Sequence, residues 1–209
     1  MYRQTAVEGY LEDAAAKKPA PGGGSVSALA GALASAMSEM TANFTAGKKK
    51  FAEVEGTIQS MLTELAQHRE ALLKLVDRDV EAYTAVNEAY GMARETQEEK
   101  EARRQAIDAA LRGAMEVPLD IMRHCAGVAA VARELVEIGN PNLITDVGVS
   151  AILADAACAA ARLNVEINLK FLDAPDLCRE TRAEMDELCG VTGECRDRVS
   201  ARVYDHLGE

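Results

Sequence analysis

Apolar positions recur at steps of three and four along almost the whole chain. The clearest stripe reads Ile58, Leu62, Leu65, Arg69, Leu72, Val76, Asp79, Tyr83, Val86 and Tyr90, which predicts one long helix from about Val54 to Tyr90. Before it, Val7, Tyr10, Leu11 and Ala14 predict an amphipathic helix within residues 2–18 that ends at Pro19. A run of Ala, Gly, Ser and Met then predicts a second helix from Ser25 to about Lys49. Its small side chains let neighbours approach closely, so it is expected at the centre of the packing. Further on, Ile107, Leu111, Ala114 and Met115 form an inward face up to Pro118, which either kinks one helix or begins another. The next face, from Leu119 to Ile138, stops at Gly139. Thr145 and Asp146 are expected to cap the most apolar helix, Val147 to about Phe171. A charged helical segment over 176–206, with a break or bend near Gly190 to Gly193, reads as a peripheral layer or an oligomer contact. No segment alternates with a period of two, so the expected fold is all-α: a single domain over residues 1–209, built as an antiparallel bundle of long helices without a sheet.

Polar residues inside apolar faces change this picture from a fold to a set of candidates. Asp79 lies in the apolar seam, where an unpaired charge is costly and raises its own pKa. It is either an internal ion-pair partner, for example of Arg69, or a perturbed acid at a site. Asp155, Arg162, Asn164, Glu166 and Asn168 also need partners on their apolar helix; Arg162 and Glu166, one turn apart, are expected to satisfy each other. The stretch Pro19-Ala20-Pro21-Gly22-Gly23-Gly24-Ser25 leads straight into the small-residue helix. Its glycines allow φ values other residues avoid, and Ser25 suits an N-cap. A glycine loop opening a helix leaves converging N–H groups that favour an anion, although it also serves simply as a tight turn. Gly47-Lys48-Lys49-Lys50 is the clearest basic cluster, expected at the far end of the same helix.

Composition narrows the classes. The formal net charge is −11, which argues against nucleic acid or an anionic membrane as partner. Five cysteines in no C-x-x-C pair fit a reducing compartment, and neither a signal pattern nor an uninterrupted spanning run occurs, so a cytoplasmic protein is expected. None of His68, His124 or His206 has a Glu three residues before it, so no metal site is expected. Without a Rossmann turn, no tightly bound redox cofactor is expected either.

Pro21-Gly22-Gly23-Gly24-Ser25-Val26, Gly47-Lys48-Lys49, the Asp77/Asp79 pair, Val117-Pro118, Gly139-Asn140 and Thr145-Asp146 occur in the order and approximate spacing of the cyclodeaminase/cyclohydrolase family. The chain resembles that family over roughly residues 5–172, with Thr145 where the family pattern suggests Ser. The resemblance implies a homodimer acting on a tetrahydrofolate one-carbon unit. It would release ammonia from 5-formiminotetrahydrofolate to give 5,10-methenyltetrahydrofolate, hydrolyse the methenyl bridge, or do both. Within that chemistry Asp79 is the candidate acid/base. Gly22, Gly23, Gly24 and Ser25 with Lys48 and Lys49 are candidates for the folate tail, and Asp146 for the pterin edge, or the reverse. A non-catalytic folate or anion binder, and a structural helical dimer module, are the alternatives.

Overall fold

The computed structural model describes residues 1–208. Six α-helices account for most of the chain: α1 (Val7–Ala15), α2 (Gly23–Asn43), α3 (Glu55–Gly91), α4 (Gln97–Ile138), α5 (Ile144–Leu169) and α6 (Pro175–Leu207). Short 3₁₀ turns at Tyr2–Gln4, Lys49–Val54 and Pro141–Leu143 complete the order, and no strand occurs among the described residues.

α2 packs against α3, α4 and α5, as its small residues require. Gly31 shows why. A Cβ there would lie 2.9 Å from the Cys125 Sγ of α4 and 3.1 Å from Leu72 of α3. Ser38 Oγ donates to Ser150 Oγ at 2.7 Å, Ser150 passes the bond on to the Ala34 carbonyl at 2.7 Å, and Ser35 donates to the Leu65 carbonyl at 2.8 Å. Hydroxyls thus satisfy themselves across a helix contact too close for larger side chains. The same contacts set direction: α2 runs antiparallel to both α3 and α5.

α4 is one helix of 42 residues, opened by a capping box in which Thr96 accepts from the Glu99 N–H and Glu99 accepts from Thr96. Pro118 lies inside it, so the chain continues through the proline rather than starting again. α6 is likewise one continuous helix, without the break expected near Gly190 to Gly193. It covers α4 and α5. Arg162 and Glu166 do not pair with each other. Arg162 reaches Asp186 at 2.6 Å and Glu166 receives Arg182 at 3.0 Å, because each finds an opposite charge across the α5–α6 contact. Asp155 is bound by Thr192 at 2.9 Å and by Arg196. Arg69 pairs with Glu39 at 2.6 Å, which leaves it unavailable to Asp79.

Two helix starts differ from expectation. α2 begins at Gly23 with Gly22 as its N-cap, so Ser25 is inside the first turn; α5 begins at Ile144, so Thr145 and Asp146 are first-turn residues and neither side chain caps. α2 also ends at Asn43, and Lys48 and Lys49 fall in the connection beyond it.

Candidate functional site

The first turn of α2 meets the middle of α3 at Asp79. The Ser25 N–H donates to Asp79 Oδ2 at 2.9 Å, so the anion held by the glycine-rich helix start is a carboxylate of the chain itself. Gly24 makes this contact possible: a Cβ there would stand 2.0 Å from Asp79 Oδ1. Gly23 serves the same purpose toward α5, where a Cβ would lie 3.1 Å from Asn164 Oδ1, whereas Gly22 has nothing within 4 Å. None of the three has a positive φ. Gly23 and Gly24 are therefore there for close approach, and the expectation of special backbone angles is overturned.

Behind Ser25, its hydroxyl and the Tyr10 hydroxyl share a hydrogen bond of 3.0 Å. The ring of Tyr10 packs edge-on against Tyr2, at 5.7 Å between centroids, and Tyr2 donates to the Ala20 carbonyl at 3.1 Å. Asp77 accepts the Tyr2 N–H and faces Arg3 at 3.4 Å. The two aspartates thus divide the work. Asp77 anchors the N-terminal segment, and Asp79, two residues on, faces the glycine turn.

Asp79 opens onto a cleft of about 550 Å³ between the start of α2, the second half of α3, α4 and the end of α5. The volume suits a bicyclic ring with a substituent. Tyr83, Tyr90 and Phe171 supply aromatic walls, and Asn164 and Asn168 add polar groups from α5. Among the described residues no Lys, Arg or His lines it. Burial pushes the Asp79 carboxyl above its ordinary range, and the Ser25 N–H opposes that shift only in part. A half-buried carboxyl without a cationic partner can carry a proton and can attract a positively charged ligand.

The remaining candidates lie elsewhere in the same chain. Lys48 and Lys49 follow the far end of α2, which at 21 residues is about 30 Å long; the Lys48 ammonium sits over the Phe44 ring. Asp146 is in the first turn of α5, about 27 Å along that helix from Asn164. Helix length separates these residues from the cleft, so Lys48, Lys49 and Asp146 do not join Asp79 within one subunit. His68 and His124 bond to each other at 2.9 Å between Nδ1 atoms, outside the cleft. No group of three or more metal-ligating side chains occurs among the described residues. Asn164 and Asn168 stood out in the sequence only as polar residues in need of partners, and Tyr83 and Tyr90 only as members of an apolar stripe. Their exposed, one-sided position at the end of α3 is what assigns the tyrosines to the cleft.

Residues 6–187 match the family described as formiminotransferase-cyclodeaminase. The methenyltetrahydrofolate cyclohydrolase of Methylorubrum extorquens is 38% identical over 92% of this chain and 93% of its own length. The mouse formimidoyltransferase-cyclodeaminase is 32% identical over 79% of this chain, which matches only 31% of that longer protein. The crystal structure of a formiminotetrahydrofolate cyclodeaminase from Thermotoga maritima superposes with a TM-score of 0.90, at 29% identity, covering 99% of this chain and 100% of that one.

Proposed function

The chain belongs to the formiminotransferase-cyclodeaminase family, and from that premise we propose that it works on the one-carbon bridge of tetrahydrofolate with Asp79 as the acid/base. It is a folate one-carbon enzyme of the cyclohydrolase/cyclodeaminase type. The observation that carries the assignment of the site is the Asp79 carboxyl, raised in pKa, in a cleft without a cation.

In the hydrolytic direction the carboxylate takes a proton from water as the oxygen adds to the methenyl carbon. The same proton then passes to N5 as the N5–C bond breaks, and the hydroxyl of the adduct gives its own proton to solvent, leaving the formyl group on N10. In the deaminating direction N10 adds to the protonated formimino carbon, and Asp79 carries the N10 proton to the departing nitrogen, which leaves as ammonia. Both routes pass through the methenyl cation, which a lone carboxylate favours. Neither changes an oxidation state, so no redox cofactor enters.

The absence of cations from the cleft argues that the folate tail lies outside it. A neighbouring groove shares Leu111 and Phe171 with the cleft and carries Arg104 and Arg112. Their present partners, Glu101 and Asp108, are surface pairs that cost little to exchange for a ligand carboxylate. A homodimer is supported by the apolar side chains left exposed on two neighbouring helices: Val26 and Leu33 on α2, and Val149, Ile152 and Leu163 on α5.

Near-ultraviolet absorbance tests the activity, because only the methenyl form has the long-wavelength band. Loss of the band from 5,10-methenyltetrahydrofolate faster than in buffer establishes hydrolysis. Its appearance from 5-formiminotetrahydrofolate, with ammonia, establishes deamination. If neither occurs with folded protein, the enzymatic reading fails.

A further inference from the structure

Pro118 and Asn168 stand on different helices and are joined through one carbonyl. In α4 the Ala114 carbonyl would ordinarily accept the N–H of the residue four positions on, but that residue is Pro118 and has none. Asn168 on α5 fills the gap. Its Nδ2 donates to the Ala114 carbonyl at 3.1 Å and to the Asn164 carbonyl at 2.8 Å. Both acceptors are backbone oxygens, so the amide nitrogen must face them and both of its hydrogens are used. Asn168 Oδ1 is then held as an acceptor without a donor of its own, in a side chain that lines the cleft. Asn164 is oriented in the same way, its Nδ2 given to the Ala160 carbonyl at 3.0 Å.

We propose that Asn168 is a specificity-determining residue that accepts from the amino-pyrimidine edge of the pterin ring, and that Pro118 is a positioning residue that sets its amide. The inference rests on the folate reading above and adds which end of the ligand the cleft takes. A pterin presents a ring N–H and an exocyclic amino group side by side, and the cleft offers acceptors in Asn164 and Asn168 with Asp79 at its glycine end. An unpaired carboxylate of the ligand tail would meet only like dipoles there. Asp146, whose helix turn is far from the cleft, is thereby replaced as the pterin partner.

The test compares 5,10-methenyltetrahydrofolate with its analogue in which the 2-amino group is replaced by methyl, using kcat/KM for the wild type, Asn168→Leu and Pro118→Ala. The wild type is expected to prefer the amino compound at least tenfold. The preference should fall to within about twofold of unity in Asn168→Leu, and several-fold in Pro118→Ala, where the restored N–H competes for the Ala114 carbonyl. A merely structural role would lower both rates alike and leave their ratio unchanged. Retention of the wild-type ratio in Asn168→Leu, or its absence from the wild type, overturns the inference while the folate reading stands; where the wild type deaminates only, the same ratio is read with 5-formiminotetrahydrofolate and its 2-methyl analogue, and failure to act on any of the four compounds overturns both. Pro118→Ala regains a helix hydrogen bond and is expected to fold, so an unchanged ratio in that variant removes Pro118 from the role even if Asn168→Leu does not fold.

Discussion

At the scale of single residues, Asp79 is held in place by two features with opposite effects on its charge. Desolvation raises its pKa and the Ser25 N–H restrains that rise. Because the folded-state pKa lies above the unfolded value, the associated stability is present below the unfolded pKa, near 3.9, and is lost as pH rises through the folded one. Above the folded-state pKa the ionised carboxylate is therefore a cost. Asp79→Asn is expected to raise the thermal midpoint at pH 7 while lowering kcat/KM by about 10²- to 10⁴-fold; a fall in both would mean that the carboxylate stabilises the fold. Hydrolysis by the wild type should increase with pH through the raised pKa and then level off, which a pH–rate profile reads directly. The three glycines form a graded series. Gly24→Ala would drive a Cβ into Asp79 Oδ1 and should inactivate almost as fully as loss of Asp79 itself. Gly23→Ala requires Asn164 to give by a few tenths of an ångström, and Gly22→Ala meets nothing and should leave the melting temperature unaltered. Equal effects of the three on turnover would refute close approach as the reason for the motif.

Among the elements, α2 shows how composition becomes architecture. Gly31 sits where α2 touches both α3 and α4, and a methyl group there has no room beside Cys125 and Leu72. Replacement by Ala normally helps a helix by about 1 kcal/mol. Here overpacking, typically about 1–3 kcal/mol, works against it. Gly31→Ala is expected to lower stability, whereas Gly113→Ala in α4, with open space around the added carbon, should raise it by up to about 1 kcal/mol. Denaturant unfolding of the two variants side by side checks the contrast. The proline in α4 belongs to the same scale. An interior proline ordinarily leaves a carbonyl without its donor, at about 1–3 kcal/mol if buried, and α5 supplies the missing donor from Asn168.

For the whole molecule, the unpartnered apolar side chains of α2 and α5 and the cation-free cleft lead to two expectations. A chain carrying Leu33→Glu with Leu163→Glu should sediment as a monomer where the parent sediments as a dimer; both side chains are more than half exposed in the single chain, at 52% and 71%. A monomeric parent would sink the dimer. Arg104→Ala with Arg112→Ala should raise KM for a polyglutamated folate several-fold, with less effect at high salt, and barely alter KM for a folate lacking the glutamate tail. An equal change for both substrates would take those arginines out of tail binding. α5 is apolar enough by length and composition to cross a membrane, yet it packs against α2, α4 and α6.

Periodicity alone determined the helical class and the long α3, because burial imposes its 3.6-residue repeat locally and every helix must bury one face; the interior position of α2 was legible in its run of small side chains. It also singled out Asp79, since a carboxylate in an apolar seam breaks the pattern wherever the chain goes. What periodicity lacked was the third dimension. Lys48, Lys49 and Asp146 belong to motifs that are compact in sequence, but a helix of twenty residues carries its two ends about 30 Å apart. Asn164 and Asn168 became site residues only when α4 ran past α5 at Ala114. The direction of an amide depends on which oxygens surround it, and that was decided by the tertiary structure.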